Sequence, residues 1–283
     1  MPLTPPFVPP GHFYSPICDP AELQALRDRI WPDPPVDEVP GIDFQLSKQF
    51  ELLSHFSGYT SEIDFDLDPS VDGRRYFYHN DQFPCLDAEV SFCLLRHLRP
   101  KSIVEVGSGF STLVTAEVNR RFFGSKIQVT CVEPFPRQFL IDGIDGVTDL
   151  IKQRVQCVNL SVFGSLNPND VLFVDSSHIS KTGSDVNHLV FEVLPRLKQG
   201  VYIHFHDIFL PDDYPQKWVL EDERNWNEQY LVRAFLQYNT EFEIIWSSYL
   251  MATRYPQQTL RVFPRFSTLG AGGSLWIRRV GRR

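Results

Sequence analysis

No stretch of the chain approaches the roughly 20 consecutive apolar residues of a membrane-spanning helix, and its first residues lack the basic start and apolar core of a secretory signal. The expectation is a soluble, cytoplasmic protein with no membrane partner. Clustered positive charge is also missing: 35 acidic against 27 basic side chains leave a net charge of -8. That balance argues against nucleic acid, because affinity for a phosphate backbone rests on grouped Lys and Arg. Arg278, Arg279, Arg282 and Arg283 near the tail read as a solvated end. Cysteine is sparse, with five residues at 18, 85, 93, 131 and 157 and no Cys-x-x-Cys pair. An odd, scattered set supports neither a disulfide framework nor a zinc knuckle. All five are expected to be small buried hydrophobes, Cys131 and Cys157 inside strands.

What is plentiful is apolar and aromatic material, 42% and 13% of 283 residues, enough for one enzyme-sized core with an extension. Eleven of the 22 prolines lie in the first 40 residues, where they impose extended chain and remove backbone donors. Beyond this arm, Asp19-Pro-Ala-Glu22 offers a capping box, and Leu46, Phe50, Leu53 and Phe56 form an amphipathic stripe. The division expected is an arm and helical lid over 1–75, then a catalytic domain over 76–283. The first part could dock on the second, cover its acceptor, or make a homo-oligomer contact.

From residue 102 strands and helices alternate, which implies a doubly wound, mostly parallel sheet with ligands at the carboxyl ends of its strands. Seven strands are expected, near 102–106, 127–132, 154–158, 171–175, 201–206, 242–248 and 273–279. Little helix is expected between the last two, which makes them an antiparallel closing pair. Val186, Leu189, Val190, Val193, Leu194 and Leu197 give a helical stripe whose last turn Pro195 should kink.

The first strand runs into Glu105-Val-Gly-Ser-Gly-Phe-Ser-Thr112. Gly107 and Gly109 allow a sharp bend that brings bare backbone, with Ser108, against a ligand. A dinucleotide fingerprint wants a third glycine where Thr112 stands, and it wants a pyrophosphate at the helix start. S-adenosylmethionine carries no phosphate and needs polar groups for an amino acid and a ribose, which suits Glu105 better. Glu133, at the end of the second strand, is placed to accept both ribose hydroxyl protons.

These residues, with the runs Val171–His178 (VLFVDSSH), Gly200–Phe209 (GVYIHFHDIF) and Trp226–Tyr230 (WNEQY), resemble the class I S-adenosylmethionine-dependent methyltransferases, in the group labelled methyltransferase domain 24. Tyr76–Asn80 and Leu86–Glu89 also look like the stretch before that group's first strand. In the metal-dependent O-methyltransferases that this pattern is similar to, one acid ends the fourth strand and an acidic or amide pair ends the fifth. The resemblance puts Asp175 at the first position and His206-Asp207 at the pair, with histidine replacing the usual acid. It implies a divalent ion, Mg, Mn or Zn, with the imidazole favouring the softer metals. It also makes His178 the first candidate for general base, with His206 as the other candidate; a histidine titrates near working pH. His204, two residues before His206 on the strand, is expected to support the site.

After the fifth strand, Tyr214, Trp218, Trp226 and Tyr230 offer flat faces and Glu228 a carboxylate. They suit a carbohydrate, or else the aromatics start a core helix. The reading is O-methyl transfer to a hydroxyl of a sugar, glycan or other small molecule. The alternatives are a nicotinamide-dependent oxidoreductase, or a metal hydrolase or oxygenase built on His204, His206 and Asp207.

Overall fold

The structure is a computed structural model that describes residues 5–281; Pro2, Arg282 and Arg283 lie outside the described residues. Seven strands make one sheet: β1 (Ser102–Val106), β2 (Gln128–Val132), β3 (Asp149–Ile151), β4 (Val171–Val174), β5 (Tyr202–Phe205), β6 (Phe242–Ser247) and β7 (Leu275–Arg279). Their spatial order is β3-β2-β1-β4-β5-β7-β6. The first five run parallel, and β7 lies antiparallel between β5 and β6. The expected doubly wound sheet and its antiparallel closing pair are both present. Strand order reverses between β1 and β4, which opens a crevice at their carboxyl ends.

Both faces of the sheet are covered, so its strands read as near-continuous apolar runs. Ile103 packs under α1 (Leu46–Phe56), α2 (Cys85–Leu98) and α3 (Phe110–Phe123) with Leu53, Phe92 and Leu113. Val104 and Val106 point the other way, to Leu189, Val193 and Leu194. Leu53 and Phe56 belong to the same core as the sheet, so the amphipathic stripe before residue 75 is docked.

Three expectations need correction. The third strand is Asp149–Ile151 rather than 154–158, which holds a 3₁₀ turn at Val155–Cys157. Val155 and Val158 are buried and Cys157 between them is exposed. A three-residue spacing of apolar positions matches a 3₁₀ turn, and over so short a run it mimics strand alternation. Cys18 is exposed as well, so two of the five cysteines are not core hydrophobes. Between β6 and β7 stand three short helices, Ser248–Arg254, Pro256–Val262 and Phe266–Leu269; Ser247 caps the first and Pro256 starts the second. Pro195 does act on its helix, whose last turn, Leu194–Arg196, tightens to 3₁₀.

Candidate active site

At the end of β1 the chain turns through Gly107 with φ at +80°, and a Cβ there would stand 1.6 Å from the Asp175 carbonyl oxygen. Only glycine allows this close approach of two strand ends. Thr112 occupies the place of a dinucleotide motif's third glycine because it caps α3: its Oγ1 accepts from the Gly109 N–H at 3.0 Å. Glu105 lies beneath the turn, fully buried, accepting from Ser111 Oγ at 2.5 Å, with its other oxygen unpartnered. Burial pushes its carboxyl up to about 8. Glu105 therefore holds the turn from below and is not in the wall of either chamber that Gly107 borders. Glu133, just past β2, accepts from the Phe135 N–H at 2.8 Å.

Two connected chambers open here. The smaller, about 340 Å³, is lined by Gly107, Glu133, Phe135, Val155, Gln156 and Asp175 among others. The larger, about 940 Å³, takes Ser108, Gly109, His178, His206, Asp207, Trp218 and Trp226 into its wall. Gly107, Glu133, Phe135 and Asp175 border both.

An ionic cluster forms the floor of the larger chamber. His178 Nδ1 is 2.8 Å from Glu228 Oε2, and its Nε2 is 3.3 Å from Asp175 Oδ1 and 3.6 Å from Asp207 Oδ2. His206 Nδ1 stands 3.4 Å from Asp175 Oδ1 and 3.5 Å from Asp207 Oδ2. Burial favours a neutral His178, but the carboxylates of Asp175 and Glu228 outweigh it and push the ring up to about 10. In His206 burial is likewise outweighed, by Asp207 and Asp175, and the ring rises well above its ordinary value. Against its own burial, Asp175 is held well below the usual carboxylate range by His206 and His178. Asp207 moves up because burial exceeds the pull of both rings. His178 and Asp207 each sit at φ +58°, a left-handed conformation that non-glycine residues occupy sparsely and that gathers at functional sites. Among the described residues, no group of three or more His, Cys, Asp and Glu side chains has the arrangement of a metal centre. The acids and imidazoles face one another as ion pairs.

The aromatic residues divide. Trp218 and Trp226 meet edge to face at 5.3 Å, Arg224 lies over both, and Trp226 sits 4.3 Å from the His178 ring. Glu228 turns inward, away from the chamber, to His178 and to Ser176 Oγ at 3.0 Å. Tyr230 donates to Asp213 and borders a further cavity of about 170 Å³, which shares Trp218, Arg224 and Trp226 with the larger chamber. Tyr214 is buried, its oxygen accepting from the Gln229 N–H. His204 is stacked on Phe173 at 3.7 Å and bonded to Ser274 Oγ at 2.7 Å; it supports the strand without lining the chamber. Outer support comes from the arm: Trp31 Nε1 donates to the Tyr214 carbonyl at 2.8 Å, Arg27 to Gln216, and the Cys18 N–H to Asn225.

Sequence reasoning missed Asn80 to Phe83, Arg224, Tyr249 and Gly272, all in the wall of the larger chamber. Tyr76–Asn80 stood out as a motif, but nothing local says what it touches.

Residues 104–208 match a family described as a methyltransferase domain. An uncharacterized protein from Archaeoglobus fulgidus is 37% identical over 180 residues, which cover 62% of this chain and 81% of the relative. Among solved structures, a Klebsiella pneumoniae protein provisionally assigned as an O-methyltransferase overlays with a TM-score of 0.43 at 13% identity, covering 82% of this chain and 90% of that one. The apo structure of CmcI-N160 gives 0.43 at 18% identity, covering 80% and 84%. Overlaps this loose assign no chemistry. The sequence match falls on the glycine turn, Glu133 and the ends of β4 and β5: the chain belongs to the class I S-adenosylmethionine-dependent methyltransferases, within that methyltransferase domain family.

Proposed function

We propose that the protein transfers a methyl group from S-adenosylmethionine to a hydroxyl oxygen of a sugar, free or within a glycan, or of a comparable hydroxylated small molecule. The observation that carries this reading is the meeting of the two chambers at Asp175, with the ionic cluster on the larger side. The smaller chamber suits the adenosine, with Glu133 accepting ribose hydroxyl protons. Gly107 to Gly109 would hold the amino-acid end against bare backbone. S-adenosylmethionine supplies an electrophilic methyl carbon on sulfur. Trp218 and Trp226, with Arg224 over both rings, border the larger chamber and would pack against a sugar.

The acceptor oxygen forms the new bond to the methyl carbon as the carbon–sulfur bond breaks and its electron pair stays on sulfur. The hydroxyl proton must leave in the same event. His178 is poorly suited to take it, since the ring is already cationic and its Nδ1 donates to Glu228. Asp207 is the better base: it borders the chamber and its carboxyl holds a proton more readily than usual. Both rings are pushed toward the cationic form, against their burial, by the carboxylates around them, and they help to hold those carboxylates in place. A divalent ion held by Asp175, His206 and Asp207 would have to displace the ion pairs these side chains make with one another.

The test incubates purified protein with S-adenosylmethionine, a panel of hydroxylated acceptors and excess chelator, and follows a one-methyl mass gain. A gain in chelator supports the reading. A gain that needs added Mg, Mn or Zn would give the cluster to a metal, and binding of S-adenosylmethionine with no acceptor methylated would overturn the hydroxyl assignment.

A further inference from the structure

Behind the acceptor chamber lies a carboxylate that the proposed reaction does not touch. Asp87, in the first turn of α2, is fully buried, a state that carries a large penalty unless the charge is compensated. Its Oδ2 accepts from the Gly273 N–H at 2.9 Å and its Oδ1 from the Ser274 N–H at 3.0 Å. The same Oδ2 stands 3.4 Å from His206 Nε2, a buried nitrogen with no hydrogen bond of its own. The loop is shaped to this carboxylate: Gly272 has φ +74°, and a Cβ there would fall 1.9 Å from Asp87 Oδ2. Gly272 borders the acceptor chamber, and the Gly273 carbonyl accepts from the Ile208 N–H at 2.8 Å, next to Asp207. One side chain from a distant helix thus touches the back of the His206 ring and the loop beside the base.

We propose that Asp87 is a positioning residue for methyl transfer, acting through His206. It fixes the ring from behind so that Nδ1 faces Asp175 and Asp207. This rests on assigning the larger chamber to the acceptor. A carboxylate that merely ties α2 to the start of β7 would leave His206 chemistry unaffected.

The test is a double-mutant cycle in steady-state turnover, with an acceptor that the wild type methylates. Asp87→Asn is expected to lower kcat on the order of 10- to 100-fold with the acceptor KM little changed. Calorimetric affinity for S-adenosylmethionine should stay within about twofold. In a His206→Gln background Asp87→Asn should add no further loss, since coupled residues are not additive. A loss that multiplies through the cycle, or one confined to KM, overturns the proposal. Should Asp87→Asn not fold, Asp87→Glu, which keeps the charge and displaces it, enters the same cycle. A readout that needs no acceptor is the ring nitrogen shifts of His206 by NMR. They should move with Asp87→Asn and stay with Glu89→Gln, a buried carboxyl on the same helix that pairs with Tyr78 and Arg265; unmoved shifts in Asp87→Asn also overturn it. Because the cycle starts from an active wild type, its failure is distinct from failure to find an acceptor.

Discussion

The two chambers are built in different ways. The smaller one comes largely from neighbouring strand ends and the turns after them, Gly107 after β1, Glu133 and Phe135 after β2, with Val155, Gln156 and Asp175 close by. The larger one gathers Phe83, His178, Asp207, Trp218, Tyr249 and Gly272 from segments spread over the chain. A cofactor shared by many enzymes can be held by backbone and a few local motifs. An acceptor is held by side chains that only tertiary structure brings together.

If that division is right, substitutions should sort by chamber. The largest effect is expected from Asp207→Asn, which removes the proposed base. Its kcat should fall on the order of 10²- to 10⁴-fold, with calorimetric affinity for S-adenosylmethionine unchanged; turnover near wild type would move the base elsewhere. Glu133→Ala should do the reverse. Losing hydrogen bonds to a charged group weakens cofactor affinity on the order of 10- to 100-fold, while kcat at saturating cofactor changes little. An acceptor-KM effect from Glu133→Ala would blur the boundary between chambers. Trp218→Ala comes next: acceptor KM should rise on the order of tenfold through lost stacking area, cofactor affinity staying fixed.

The smallest effect is in pH. His178 is raised from an ordinary 6.5 to about 10, so the stability of its ion pairs is fully present below 6.5 and is lost as pH rises through about 10. Thermal melts and kcat should therefore both decline as pH passes 10. A decline centred on 6.5, removed in His178→Gln, would show that the ring is not held as a cation.

The same contrast explains how much was legible in the sequence. Gly107, Gly109 and Glu133 announce themselves because the bend and the strand-end acid lie in one short stretch, and the alternation of strands and helices puts them at one sheet edge. Thr112 correctly set the turn apart from a dinucleotide site, for a reason visible only in three dimensions: its hydroxyl caps α3. Asp175, His178 and His206 were placed by strand ends and by resemblance, but their charge states were not. Against its burial, the His178 ring is pushed up by Asp175 and by Glu228, 50 residues away, a pairing that its own stretch of sequence does not announce. Tyr230, which the spacing offered either to the acceptor wall or to a core helix, borders a smaller cavity that shares Trp218 and Trp226 with the larger chamber. The third strand was misplaced because a short edge strand needs only one neighbour and carries little pattern of its own.

The account depends most on the smaller chamber taking the nucleoside and presenting the sulfonium toward Asp175. Crystals soaked with S-adenosylhomocysteine test this directly. The account predicts adenosine in the smaller chamber, ribose hydroxyls on Glu133 and sulfur at the opening into the larger one. Nucleoside density within the larger chamber, beside Trp218 and Trp226, would contradict it, as would an empty crevice at saturating ligand.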